Sequence, residues 1–142
     1  MGWFSYHVYG GDDTQTQHYN FLKWAKCGTE DEIMDNEWLG LRGTKIPKDR
    51  ISIFEKNIDK VLKKMPKSKY WNDENAIEWQ MLLSLFLDNK LKVPTIVKQK
   101  GIDATEYLCG KHAADFTNPK LRIRNLKRFI ERVAKLETYE IN

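Results

Sequence analysis

The sequence predicts a mainly α-helical, compact domain of about five helices, with a short N-terminal β-strand or hairpin element. Three observations carry this. Apolar side chains recur at helical spacing over 51–65 and 123–136, each run opposed by an arc rich in lysine or arginine. An uncharged run, Trp79 to Leu87, spreads its apolar residues around the whole helical wheel, as in a helix enclosed by others. Finally, 142 residues, 41% of them apolar, can close one core without disulfides or metals.

The elements follow in order. Residues 1–12 form the strand element, because Trp3, Phe4, Tyr6, Val8 and Tyr9 are aromatic or β-branched and loosely alternate before Gly10 and Gly11. Residues 13–28 hold the first helix, from Thr14 to Lys26, with Tyr19, Leu22 and Ala25 at helical spacing and Gly28 as the left-handed residue past its end. Residues 29–47 read as an acidic loop containing at most one short helical turn, becoming glycine-rich. The helical core, 48–137, opens after Pro47 with an amphipathic helix whose inner arc is Ile51, Phe54, Ile58, Val61, Leu62 and Met65; Lys56, Lys60, Lys63 and Lys64 lie opposite and Pro66 ends it. Asn72 caps a central helix, 73–89, whose first turn carries Asp73 and Glu74 where the helix dipole favours carboxylates. A further helix runs from near Pro94 towards Cys109, with a break or kink at Gly101. The last starts near Asn118 and Pro119 and turns Ile123, Leu126, Phe129, Ile130, Val133 and Leu136 inwards.

Charge limits the function classes. Residues 1–40 carry two lysines against seven carboxylates, whereas 41–142 carry 22 basic and 13 acidic groups, so a formal net charge of +4 conceals ends of opposite sign. The longest uncharged stretch in the apolar middle of the chain, Trp79 to Leu87, is nine residues, about half of what a membrane-spanning helix needs, so no membrane partner is expected. The N-terminus has no basic segment followed by an apolar run, which points to the cytoplasm, and Cys27 and Cys109 are expected as reduced thiols.

Several constellations are candidate sites. Residues 119–136 contain seven basic side chains and one acidic, and Lys120, Arg124, Lys127 and Arg128 on the outer face suit a phosphate backbone. His7, Asp12, Asp13 and His18 are the residue types that gather round zinc or manganese, the basis for a small metal-dependent hydrolase as an alternative; capping of the following helix explains the two aspartates equally well. Cys109 and His112 are spaced as half of a zinc site or as a thiol and base pair, but no second ligand pair completes them. Gly10 and Gly11 precede a helix that opens on two aspartates, which would repel a phosphate, and no cofactor is expected. Trp3, Tyr6, Tyr9 and Trp38, at element ends or in loops, suit a protein interface rimmed by Glu30, Asp31 and Glu32.

The opening Met1, Gly2, Trp3, continuing through Val8, Tyr9, Gly10, Gly11, Asp12, Asp13 and Thr14 into a helix, resembles the start of a family of small bacterial and phage-borne proteins of unknown function. Those proteins begin Met-Gly-x-Trp; here Trp stands at the third position, and Gln17 where an acidic residue is common. The likeness covers about 25 residues and implies a prokaryotic or phage origin, with no chemistry attached. The absence of catalytic motifs, the aromatic N-terminus and the acidic segment from Glu30 to Glu37 instead give the expected function, a non-catalytic interaction protein that regulates or inhibits a protein partner, with nucleic-acid binding and a small metal-dependent hydrolase as alternatives.

Overall fold

A computed structural model describes residues 11–40, 43–67, 69–111 and 119–141. It is mainly helical, as the periodicity predicts, with seven helices and four two-residue strands among the described residues. The predicted N-terminal strand lies outside them, except that Gly11 and Asp12 already belong to the first helix.

Helix α1 (Gly11–Trp24) turns His18, Phe21 and Leu22 into the core, and Ala25, just past its end, is buried with them. Its end differs from the glycine expectation. The left-handed residue is Lys26 (φ 55°), and the amides of Lys26 and Cys27 close on the carbonyls of Lys23 and Leu22, both at 3.0 Å, with Cys27 packed inwards. Gly28 is small for another reason: a Cβ there would stand 2.6 Å from Cη2 of Trp38.

The acidic segment is more ordered than predicted. Thr29 and Glu32 form a reciprocal capping box that opens α2 (Glu30–Asp35). Strands β1 (Leu39–Gly40) and β2 (Gly43–Thr44) then pair antiparallel, Leu39 opposite Thr44. The single helix expected after Pro47 is two, α3 (Lys48–Lys56) and α4 (Ile58–Lys64). Asn57 interrupts them, at φ −105° and ψ 16°, because its side-chain amide donates to the Ala25 carbonyl (2.9 Å) and ties the break to the end of α1.

Helix α5 (Asp73–Asp88) is the central helix, and Asn72 caps it by accepting from the Asn75 amide at 2.8 Å. Ten of its residues are buried, on all sides of the helix. After β3 (Val93–Pro94), α6 (Thr95–Lys111) runs through Gly101 without a break. Glycine is required there because a Cβ would stand 2.4 Å from Cδ2 and 2.6 Å from Cβ of Leu83, so α5 and α6 touch backbone to side chain. Gln80 on α5 donates to Thr105 on α6 (2.9 Å) beside this contact.

Helix α7 (Pro119–Ala134) packs on α6 through Leu126, Phe129 and Val133, all fully buried. Lys98 of α6 donates to the carbonyls of Ala134 and Leu136 (2.9 and 3.0 Å), placing a cation at the negative end of the α7 dipole. Beyond it, β4 (Thr138–Tyr139) pairs parallel with β3.

Candidate nucleic-acid interface

The structure separates the candidate residues into those spent on folding and those left at the surface. His18 is spent. It is fully buried, Nδ1 lies 2.7 Å from the Thr44 hydroxyl, and Nε2 lies 2.8 Å from the Ser84 hydroxyl and 3.0 Å from the Met81 carbonyl. Ser84 donates its own proton to the Met81 carbonyl (2.7 Å), so Nε2 carries a hydrogen, while Nδ1 is paired with the Thr44 hydroxyl. With both nitrogens engaged, this is a core histidine that joins α1, the hairpin and α5, and not a free ligand for a metal. The network continues as the Thr44 amide donates to the Asp88 carboxylate at 2.9 Å. His7 and the side chains of Asp12 and Asp13 lie outside the described residues, as does His112; among the described residues no group of three metal-ligating side chains forms.

Trp38 is also spent, which corrects the expectation of an exposed aromatic. It is only 5% exposed, lying over Gly28. Trp3, Tyr6 and Tyr9 lie outside the described residues. The acidic residues expected to rim that aromatic divide in two. Glu32 is held by Arg50 and by the Thr29 amide, and these contacts, the amide first, hold its carboxyl below the usual range. Glu30 and Asp31 are exposed on the outer side of α2, with Met34 57% exposed beside them. Behind α2 lies an open cleft of about 410 Å³, walled by Glu37, Lys45, Asp49 and Arg50 and floored by Trp38 and Ile46. Under it, Cys27 is buried and its thiol donates to the Arg50 carbonyl at 3.4 Å; burial pushes its pKa up to about 11, a protonated and inert thiol at neutral pH.

The basic face of α7 remains at the surface. Burial of Leu126, Phe129 and Val133 fixes the rotation of the helix, so Lys120, Arg124, Lys127 and Arg128 project outwards, all four exposed. With Ile123 and Glu131 they line an open groove of about 420 Å³. The spacing, i, i+4, i+7 and i+8, keeps the four cations on one face over roughly 12 Å of helix axis, about the rise of three or four base pairs. None of the ion pairs among the described residues engages them. The sequence already marked these residues, because an amphipathic arc declares its solvent side; it gave no sign that Trp24 of α1 comes to lie under Lys64 of α4.

No helix among the described residues is long and apolar enough to cross a membrane. No family model, curated protein or solved structure matches this chain.

Proposed function

We propose that this chain is a non-catalytic binding module that takes nucleic acid on the outer face of α7. The observation that carries the reading is the set Lys120, Arg124, Lys127 and Arg128, exposed together on a helix whose rotation is fixed by its buried side and engaged by none of the ion pairs among the described residues, with Glu131 the one carboxylate lining their groove. Two of the four are arginines, whose planar guanidinium groups match phosphate in a bidentate way that lysine does not. Release of counterions from the phosphate backbone then supplies the affinity. The test is fluorescence anisotropy with a labelled oligonucleotide at low salt, comparing the unvaried chain with the fourfold variant K120Q/R124Q/K127Q/R128Q. Tight binding that is lost in the variant, at unchanged melting temperature, supports the reading; binding that survives the variant overturns it.

A second reading, a protein partner that this chain regulates or inhibits, is favoured by the outer side of α2. There an exposed Met34 sits among Glu30 and Asp31 on a helix locked by its capping box and by Arg50, an apolar contact with an acidic rim. The implied partner carries a basic patch, and Met34→Ala would weaken its capture while the α7 variant would not. Either reading places the chain in the cytoplasm, without a cofactor, and fits a prokaryotic or phage accessory protein.

A further inference from the structure

We propose that the partner of the α2 face is a second copy of this chain, whose α7 groove receives Met34 and the carboxylates beside it. The inference rests on the reading of α2 as a protein-binding face and deepens it by naming the partner.

The two faces are complementary in charge and in chemistry. Ile33 is fully buried and fixes the rotation of α2, so at about 100° per residue Glu30, Asp31, Met34 and Asp35 fall in one outer arc. All four are exposed, Met34 by 57%, and Met34 lies one turn beyond both Glu30 and Asp31, which places a carboxylate on either side of it. Arg50 donates to Glu32 and to the Cys27 carbonyl behind the helix, and none of the ion pairs among the described residues engages Glu30, Asp31 or Asp35. The α7 groove, about 420 Å³, offers the reverse: Lys120, Arg124, Lys127 and Arg128 with Glu131 as the one lining carboxylate, and the partly exposed Ile123 as an apolar wall. Both faces are exposed within one chain, so neither covers the other, and each helix is packed on neighbours of its own, α7 on α6 and α5, and α2 through Glu32 on Arg50 of α3. The contact therefore joins two copies.

A methionine side chain, unbranched and polarisable, adapts to an irregular apolar wall such as the one Ile123 supplies. The carboxylates round it meet two arginines, whose guanidinium groups take a carboxylate in a forked pair. Like faces repel, α2 from α2 and α7 from α7, which leaves contact between an α2 and an α7 as the electrostatically allowed one and makes the association heterologous. Exposed ion pairs each contribute little and are screened by salt, so the contact is weak and dissolves as salt is raised.

The experiment is sedimentation velocity of the full chain over a concentration series, at low salt and at about 0.5 M salt. Variants are Met34→Gln, the α2 reversal D31K/D35K, which leaves Thr29 and Glu32 to cap the helix, and the α7 reversal R124E/K127E. Melting curves establish folding first; if a reversal melts early, Met34→Gln carries the test. The unvaried chain is expected to associate at low salt and to be monomeric at high salt. Each reversal alone is expected to weaken association by about tenfold or more, and Met34→Gln to weaken it severalfold. An equimolar mixture of the two reversals is expected to restore association, because the acidic α2 of one then faces the basic α7 of the other. Association that the folded variants leave unchanged, or a mixture of folded reversals that stays monomeric, overturns the inference. An unvaried chain that is monomeric at low salt overturns it as well, whereas the reading of α2 as a protein-binding face fails separately, when capture of a different protein is undiminished by Met34→Ala.

Discussion

Gly101 is the most exacting point in the packing, and Gly101→Ala tests it. Taken as an isolated helix, α6 should gain from this change, since alanine exceeds glycine by roughly 1 kcal/mol in a helix interior. The structure reverses the sign. The new methyl would sit 2.4 Å from Cδ2, 2.6 Å from Cβ and 3.0 Å from Cγ of Leu83. A rotamer change can move Cδ2, but Cβ is fixed by the α5 backbone, so the two helices must separate. Overpacking of this kind costs about 1–3 kcal/mol, and the need for backbone movement places this case in the upper half of that range. After the propensity gain, a net loss of about 1–2 kcal/mol remains. Urea denaturation gives it directly, and the melting temperature should fall by roughly 3 °C for each kcal/mol. The double variant with Leu83→Ala supplies a control. Leu83→Ala alone leaves a cavity worth about 2–5 kcal/mol, and the methyl introduced by Gly101→Ala should recover part of it, so the two changes together cost less than their sum. A Gly101→Ala protein more stable than the parent would refute the close approach of α5 and α6.

Two further outcomes follow from local geometry. Lys90 ends α5 in the left-handed region (φ 53°), where Leu91 and Lys90 donate to the carbonyls of Phe86 and Leu87, so Lys90→Gly should stabilise by about 0.5–1 kcal/mol in denaturant titration. The Cys27 thiol, raised from 9.0 to about 11 by burial, binds its proton more tightly folded than unfolded; its contribution is complete below pH 9 and is lost as pH rises to about 11, a fall on the order of 1–3 kcal/mol that Cys27→Ala should not show.

How much of this was legible depends on the range of the interaction. Asn72 and Asp73 announce α5 because cap and first turn are adjacent in sequence, and α7 is legible because its two arcs are complete within one helix. The Thr29 and Glu32 capping box was equally local and points to α2, although the density of carboxylates reads as loop. Other features need partners from afar. Asn57 breaks a continuous amphipathic pattern because its side chain is drawn to Ala25, 32 residues away. Gly28 and Gly101 look like helix punctuation, yet each is small because a distant ring or side chain lies on it. The burial of His18 and Trp38 removes two candidate functional residues, since nothing in their neighbours announces Thr44, Ser84 or Gly28 as the groups that meet them. The pairing of β3 with β4, two residues each and 45 apart, leaves no periodic signal at all.

The central claim, that α7 presents four exposed cations to a phosphate backbone, is tested most directly by the salt dependence of nucleic-acid affinity. Each neutralised phosphate contributes about 0.9 to the slope of log affinity against log salt on a duplex. The account predicts a steep slope for the unvaried chain, reduced by roughly 3–4 in K120Q/R124Q/K127Q/R128Q at unchanged melting temperature. A slope that the fourfold variant leaves unchanged would contradict it and place the binding surface elsewhere on the chain.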